Sequence, residues 1–479
     1  MERRMLTLLR RATLLAAAVA VLALPASASG ARGLVTGVQD FDLTQTHFDR
    51  VKASGSGVVK ISVVWKDIAP AAPPVTFNPS DPLDPNYRWE PFDTYVRQAV
   101  ATGLDPLITV EQAPRFAERD TRGSSGTGNP DPLQFGLFAE AVARRYSGAV
   151  AGLPRVRMFE AWNEPNASFF LFPQRNADGS NYSPGLYREL VNRFATGVHR
   201  VHADNTVVAG ALFPFTLNRA ASLTIGPYRF MRELLCLSAK LKVIPGCGPQ
   251  VQFDAWSHHP YTSGDATHKA GHRDSVSLGD LPRMQKLLRT AVRQKRIVSR
   301  GSVKFWVTEM GWDTAPADPK GVPLGLHARW VSEALYRSWS AGVSLFVWYR
   351  LRDGPSTGPV QSGLWLRCDA GIACDQPKRA SLQAYRFPFV AFRSGKRVRV
   401  WGRTPGGVRK AVVIERSGKG GYKRLKRLRS DSQGIFKGIF SGPRNGHLRA
   451  RIGSQGEVSV PFSLKRPPDR PVNPFGSTG

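Results

Sequence analysis

Cysteine is scarce in this 479-residue chain, with four residues in all: Cys236, Cys247, Cys368 and Cys374. They fall into two sequence-local pairs, Cys236 with Cys247 and Cys368 with Cys374, and neither pair has the Cys-x-x-Cys spacing of a zinc site. Two small disulfide staples are the expectation in an exported chain. Long apolar runs are also missing. The run from Ala12 to Leu24 falls short of the roughly 20 residues a spanning helix needs, and no later segment is longer. That run follows Arg3, Arg4, Arg10 and Arg11 and precedes Ala26-Ser27-Ala28, the pattern of a secretory signal peptide. Residues 1–28 are therefore expected to be removed, leaving a secreted or cell-wall-associated protein with no transmembrane segment. No glycine-rich phosphate loop follows the first apolar run, which argues against an open nucleotide-binding sheet.

Acidic residues are few as well, 36 Asp and Glu against 67 Lys and Arg, for a net charge of +31. The excess is uneven. Residues 391–479 hold 21 Lys and Arg against 4 Asp and Glu. Such a surface suits an acidic cell-envelope polymer as partner; in an exported chain nucleic acid is not expected, and a charged surface that merely keeps the protein soluble is an equal reading.

What the chain does have is a regular alternation. Short apolar runs close on polar or aromatic residues at 34–40, 58–65, 106–112, 156–164, 206–213, 253–261, 303–312 and 343–350, and longer segments of helical periodicity separate them. Continuous apolar strands suit a sheet buried on both faces, and eight βα units is the number that closes a barrel. The expected fold is therefore α/β, a (β/α)8 TIM barrel over residues 29–394 that ends in a helix through RASLQAYRFPFVAF. After Ser394-Gly395 short alternating segments with glycine-rich turns predict a small basic antiparallel β-sandwich over 395–466. The proline-rich stretch 467–479 is expected to be disordered.

In a β/α barrel, functional groups come from the carboxyl ends of the strands. Two glutamates occupy such places: Glu164 in FEAWNEPN ends the fourth run, and Glu309 in FWVTEMGW ends the seventh. Carboxylates that face each other across a barrel mouth are what glycoside hydrolysis requires. One acid protonates the leaving oxygen, and one carboxylate attacks the anomeric carbon or activates water. The two must differ in pKa, and their mutual repulsion helps to separate them.

These motifs together resemble the clan A glycoside hydrolases. Trp162-Asn163-Glu164-Pro165-Asn166, His259-Pro260-Tyr261 and Thr308-Glu309-Met310-Gly311-Trp312, in this order, are most similar to family 39 and its cellulase-like relatives. The resemblance covers residues 34–393 and implies a retaining enzyme, with Glu164 as acid/base and Glu309 as nucleophile. It implies that Asn163 binds a sugar hydroxyl, that His259 and Tyr261 reach the nucleophile or the sugar, and that Trp348 forms a sugar platform. Lys60 stands where relatives carry arginine near the nucleophile. Trp312, with Trp65, Gln112, Trp256 and Trp365, is a further candidate for the cleft wall. Each has a plainer reading, since a Trp on a buried strand is ordinarily core and a lone lysine is ordinarily structural or solvated. His268 and His272, four residues apart and near His258 and His259, have the spacing of a zinc pair, but the chemistry requires no metal and no cofactor is expected. A carbohydrate-binding protein without turnover and a polymer tether built on the basic tail are the rival readings.

Overall fold

The computed structural model describes residues 32–219, 222–355 and 360–474. The predicted signal peptide lies outside the described residues. Eight parallel strands close into a barrel: β1 (Val35–Gln39), β2 (Val58–Val64), β3 (Asp105–Glu111), β4 (Met158–Ala161), β5 (Thr206–Leu212), β6 (Ala255–His258), β7 (Lys304–Val307) and β8 (Leu345–Tyr349). Each pairs with the next and β8 pairs with β1, where Gln39 lies opposite Tyr349. Small apolar residues such as Val58, Leu107, Val208, Ala255, Leu345 and Val347 fill one part of the interior as a separate buried cluster.

The helices α1 (Gln45–Ala53), α2 (Phe92–Ala101), α3 (Pro132–Arg145), α4 (Ser183–Val201), α5 (Pro227–Leu234), α6 (Leu281–Arg293), α7 (Leu324–Ser340) and α8 (Arg379–Arg386) follow the eight strands in turn. Local chemistry sets their starts. Asp131 caps α3 by accepting hydrogen bonds from the Leu133 and Gln134 amides, and Pro132 supplies the first turn with its fixed φ. No helix among the described residues is long and apolar enough to cross a membrane.

The chain departs from expectation after α8. The helix stops at Arg386, ahead of Pro388, and the segment Phe389–Ser394 is strand β9, not helix. It pairs antiparallel with β10 (Arg397–Arg403), so Ser394-Gly395 is a hairpin turn, with Gly395 at φ 59°, rather than a domain boundary. Five more strands follow: β11 (Ala411–Gly418), β12 (Gly421–Arg429), β13 (Ile435–Ser441), β14 (His447–Ile452) and β15 (Phe462–Ser463). They form a three-stranded sheet, β9-β10-β13, and a four-stranded sheet, β12-β11-β14-β15, as the alternating pattern predicts. Tyr336 and Trp339 of α7 meet Phe392 and Trp401, so barrel and sandwich share one apolar core.

Of the stretch expected to be disordered, residues 467–474 are among those described and form neither helix nor strand. Val472 N–H donates to Ser263 O (3.1 Å), and the Arg470 guanidinium to Gly321 O (3.1 Å), which ties the strap to the loops that follow β6 and β7. Its proline content leaves few amides to satisfy, and those two contacts hold it along the barrel. Both expected disulfides are present, Cys236–Cys247 and Cys368–Cys374.

Candidate active site

Strand ends build the site, and local backbone irregularity aims its side chains. β5 carries a bulge between Ala209 and Leu212, where Gly210 (φ 118°) approaches Ser257 O so closely that a Cβ would sit 2.2 Å from it. The bulge turns Ala211 O toward the chain beyond β4, where it accepts the Glu164 amide (3.0 Å). Tyr187 of α4 ties both strands, its hydroxyl donating to Ala161 O (2.6 Å) and accepting from the Gly210 amide (2.9 Å). Trp162 (φ 68°) and Glu164 (φ 43°) both lie in the left-handed region, as do Gln112 and Ala211 nearby. Such conformations carry strain and mark functional positions when they cluster. Asn166 holds this loop from behind, donating to Phe213 O and Ile225 O and accepting from the Phe213 amide.

Glu164 and Glu309 meet across the mouth. Their nearest carboxylate oxygens and His259 Nδ1 all lie within 4.8 Å of one another. His259 Nδ1 is 2.9 Å from Glu164 Oε1 and 3.5 Å from Glu309 Oε2. Tyr261 donates to Glu309 Oε2 (3.1 Å), and the Lys60 ammonium to Glu309 Oε1 (3.0 Å). Lys60 also pairs with Glu160 (3.2 Å), a fully buried carboxylate on β4 that accepts from Thr109 (2.9 Å) and Ser257 (2.7 Å). Burial pulls the Lys60 pKa down, but Glu160 and Glu309 together raise it above its ordinary value, so the lysine is a fixed cation.

The two glutamates stand in different electrostatic settings. Burial, reinforced by the charge of Glu309, holds the Glu164 carboxyl well above the usual range, and it stays protonated where an exposed carboxyl would ionise. Burial and the nearby Lys60 cation push His259 well below its usual range, so it is a neutral imidazole between two acids.

Both carboxylates open on a cavity of about 520 Å³, whose walls include Gln39, Ser62, Glu111, Gln112, Asn163, Tyr261 and Tyr349. Phe41, Phe169, Phe170 and Phe213 add aromatic faces, and Pro474 of the C-terminal strap reaches the same cavity. Glu164, His259 and Glu309 form the one cluster among the described residues with metal-ligand spacing. His258 Nε2–H donates to Val276 O (2.8 Å) instead, and His268 and His272 are exposed on a loop, so these histidines do not gather at one point.

The structure brings together Asn163, Glu164, Tyr261, Glu309 and Gln112 on the cavity, with Lys60 and His259 buried behind it. It does not bring Trp348 there. Trp348 is wholly buried, donates to Ser362 O (2.9 Å) and packs on Trp312, His327 and Tyr385. Trp312 is equally buried and donates to Gly264 O (3.0 Å). Trp65 stacks on Phe138, Trp256 packs on Phe253, and Trp365 is covered by Arg50; none of the three reaches the cavity. Adjacent strand residues point to opposite sides. Tyr349, one place on from Trp348, is therefore the β8 side chain that faces the mouth, edge-on to Phe41 and Tyr261. Gln39, Ser62 and Glu111 join it on the wall, and Gln39 and Glu111 are the last residues of β1 and β3, a strand-end placement legible in the sequence.

A closed parallel β/α barrel with facing carboxylates beyond its fourth and seventh strands is the class that these observations define. Among solved structures, the chain is similar to a family 39 glycoside hydrolase from the gut symbiont Bacteroides cellulosilyticus WH2, at 16% identity and a TM-score of 0.52, over 86% of this chain and 79% of that one. A glucosidase from Croceicoccus marinus (13% identity, TM-score 0.48, 86% of this chain and 93% of that one) superposes less well. At such identities the likeness to the family 39 enzyme establishes the fold. No family model matches the chain, and no curated protein matches it.

Proposed function

We propose that this protein is a secreted retaining glycoside hydrolase, with Glu164 as acid/base and Glu309 as nucleophile. The observation that carries the reading is the carboxylate separation. Carboxylate oxygens within 4.8 Å of one another favour a retaining pair, whose carboxyls stand about 5–5.5 Å apart, over an inverting pair at about 6.5–9.5 Å.

In the first step Glu164 gives its proton to the glycosidic oxygen while Glu309 attacks the anomeric carbon, forming a glycosyl ester and releasing the leaving alcohol. Esterification removes the charge of Glu309, so Glu164, now ionised, is stable as a base. It takes a proton from water, which attacks the same carbon and frees Glu309. Two displacements restore the original configuration. Lys60 and Tyr261 hold and orient Glu309, and the neutral His259 positions both carboxyls without adding charge. Asn163 and Tyr349 contact the sugar from the cavity wall.

The test is turnover of aryl glycosides and polysaccharides by the purified protein, with Glu164→Gln and Glu309→Gln alongside. Polysaccharide turnover absent from both variants, and aryl glycoside turnover absent from Glu309→Gln, support the reading. Saturable glycan binding without turnover, indifferent to either change, overturns it in favour of a binding protein.

The basic sandwich is proposed to hold an acidic cell-envelope polymer. In support, the edge strand β12 exposes Lys423, Arg424, Lys426, Arg427 and Arg429. Binding to acidic polysaccharide that disappears at high salt tests it.

A further inference from the structure

Glu164 and Glu309 account for bond cleavage and leave a third carboxyl in the cavity unexplained. Glu111 closes β3, lines the cavity beside both of them and is 8% exposed. Ser62 of β2 lines the cavity with it. Burial, opposed by Lys60 and reinforced by Glu309, pushes the Glu111 pKa up to about 7.

The charge on the cavity wall itself is of one sign. Among the described residues the cavity wall has three glutamates and neither lysine nor arginine, in a protein whose net charge is +31. Two cations close behind the wall are already engaged. Lys60 is shared between Glu160 and Glu309, and Arg350 is held by Asp40 (2.9 Å). Neutral hydroxyls are served by amides, which the wall already has in Gln39, Gln112 and Asn163. A further buried carboxylate is unfavourable in itself and repels the nucleophile, and a positive ligand offsets both effects.

Two more acceptors on the wall are unmet. Gln39, 3% exposed, has its Oε1 buried with no hydrogen-bond partner among the described residues, and Asn163 Oδ1 is in the same state. An ammonium group carries three donors and no acceptor, the complement of a wall built from acceptors.

We infer that the cavity takes an amine-bearing sugar, a hexosamine whose amino group is free and protonated, and that Glu111 selects it. This rests on the glycosidase reading above. A carboxyl near neutrality suits the task, because the sugar amine titrates in the same range and the pair binds as an ion pair whichever partner brings the proton. Uronic acids are disfavoured by the same charges.

The experiment compares kcat/KM of the full chain at pH 7 for matched aryl glycosides, in both anomeric series and in gluco and galacto forms. Each set carries at C2 a free amine, an N-acetyl group or a hydroxyl. The free amine is expected to win by roughly ten-fold or more, as a charged hydrogen bond does, and the advantage is expected to collapse toward unity in Glu111→Gln. Neutral glycosides cleaved as well as or better than the amines by the unaltered protein would overturn the inference and leave the glycosidase reading intact. If no glycoside is cleaved, the glycosidase reading fails separately. Calorimetry with glucosamine oligomers against their N-acetylated counterparts then decides this one: a preference of less than three-fold overturns it, and a larger one supports it.

Discussion

The Lys60 ammonium stands 3.0 Å from Glu309, wholly buried beneath the carboxylate proposed as nucleophile. With Glu160 on its other side, it is the single cation of a three-residue buried network. Removing one partner of such a network leaves an uncompensated charge, which costs about 3–5 kcal/mol. Lys60→Met is therefore expected to lower the unfolding free energy by that amount at pH 7 and to reduce kcat by about a hundred-fold or more, with the acidic limb of the pH–rate profile moved upward. Denaturant titration and the pH profile check this. Unchanged kcat in a folded variant would show that the lysine only supports the core.

Glu164→Gln is expected to reduce kcat by about 10²- to 10⁴-fold on substrates with poor leaving groups, and by much less on aryl glycosides with acidic phenols, which need no protonation. Glu309→Gln is expected to lose turnover on both. Proton NMR of the first-formed product is expected to show the anomer of the substrate; the opposite anomer excludes the double displacement.

The pH dependence follows from the same groups. Glu164 is raised by burial and by Glu309. Because the acid form is required for the first step, activity is expected to fall as pH rises through its folded pKa. Glu111 adds a stability effect. Its folded pKa of about 7 exceeds the ordinary 4.5, so the folded state binds that proton more tightly. The associated stability is complete below pH 4.5 and lost as pH climbs through 7. Glu111→Gln is accordingly expected to leave Tm near its original value at pH 4.5 and to raise it at pH 8. A Tm difference that does not change with pH contradicts this.

Tyr349 and Trp348 separate surface from core. Tyr349→Ala is expected to weaken kcat/KM by ten-fold or more, the order of an aromatic contact and a neutral hydrogen bond together. Trp348→Ala is expected to lower stability by about 3–5 kcal/mol through the void beside Trp312 and Tyr385. Trp348→Phe, which keeps most of the packing, is expected to leave KM unchanged. A KM effect in Trp348→Phe with none in Tyr349→Ala reverses the assignment.

Much of the site could be read without coordinates because strand order determines it. Apolar runs that end in Asn163-Glu164 and Thr308-Glu309, at the fourth and seventh of eight βα units, place two carboxylates over one barrel mouth wherever the barrel closes. The disulfides were legible for a similar reason, since sequence-local cysteines have little else to reach. Less legible were features decided by one residue of register. Trp348 and Tyr349 are neighbours in the chain, and only the pairing of β8 with β1 settles which of them faces the mouth. The hairpin at Ser394-Gly395 has the alternation of a strand and the composition of a helix end, and Pro388 with the partner strand β10 resolves it.

By itself, then, the sequence determined the βα rhythm, the two carboxylates at strand ends and the basic character of the last hundred residues, because each is a local pattern of residue type. Tertiary structure alone decided that Lys60 is shared between Glu160 and Glu309, that Glu111 shares their cavity, and that the C-terminal strap carries Pro474 to it. Those are contacts between residues tens to hundreds of positions apart. Burial, which sets their charge states, exists only once the barrel has closed around them.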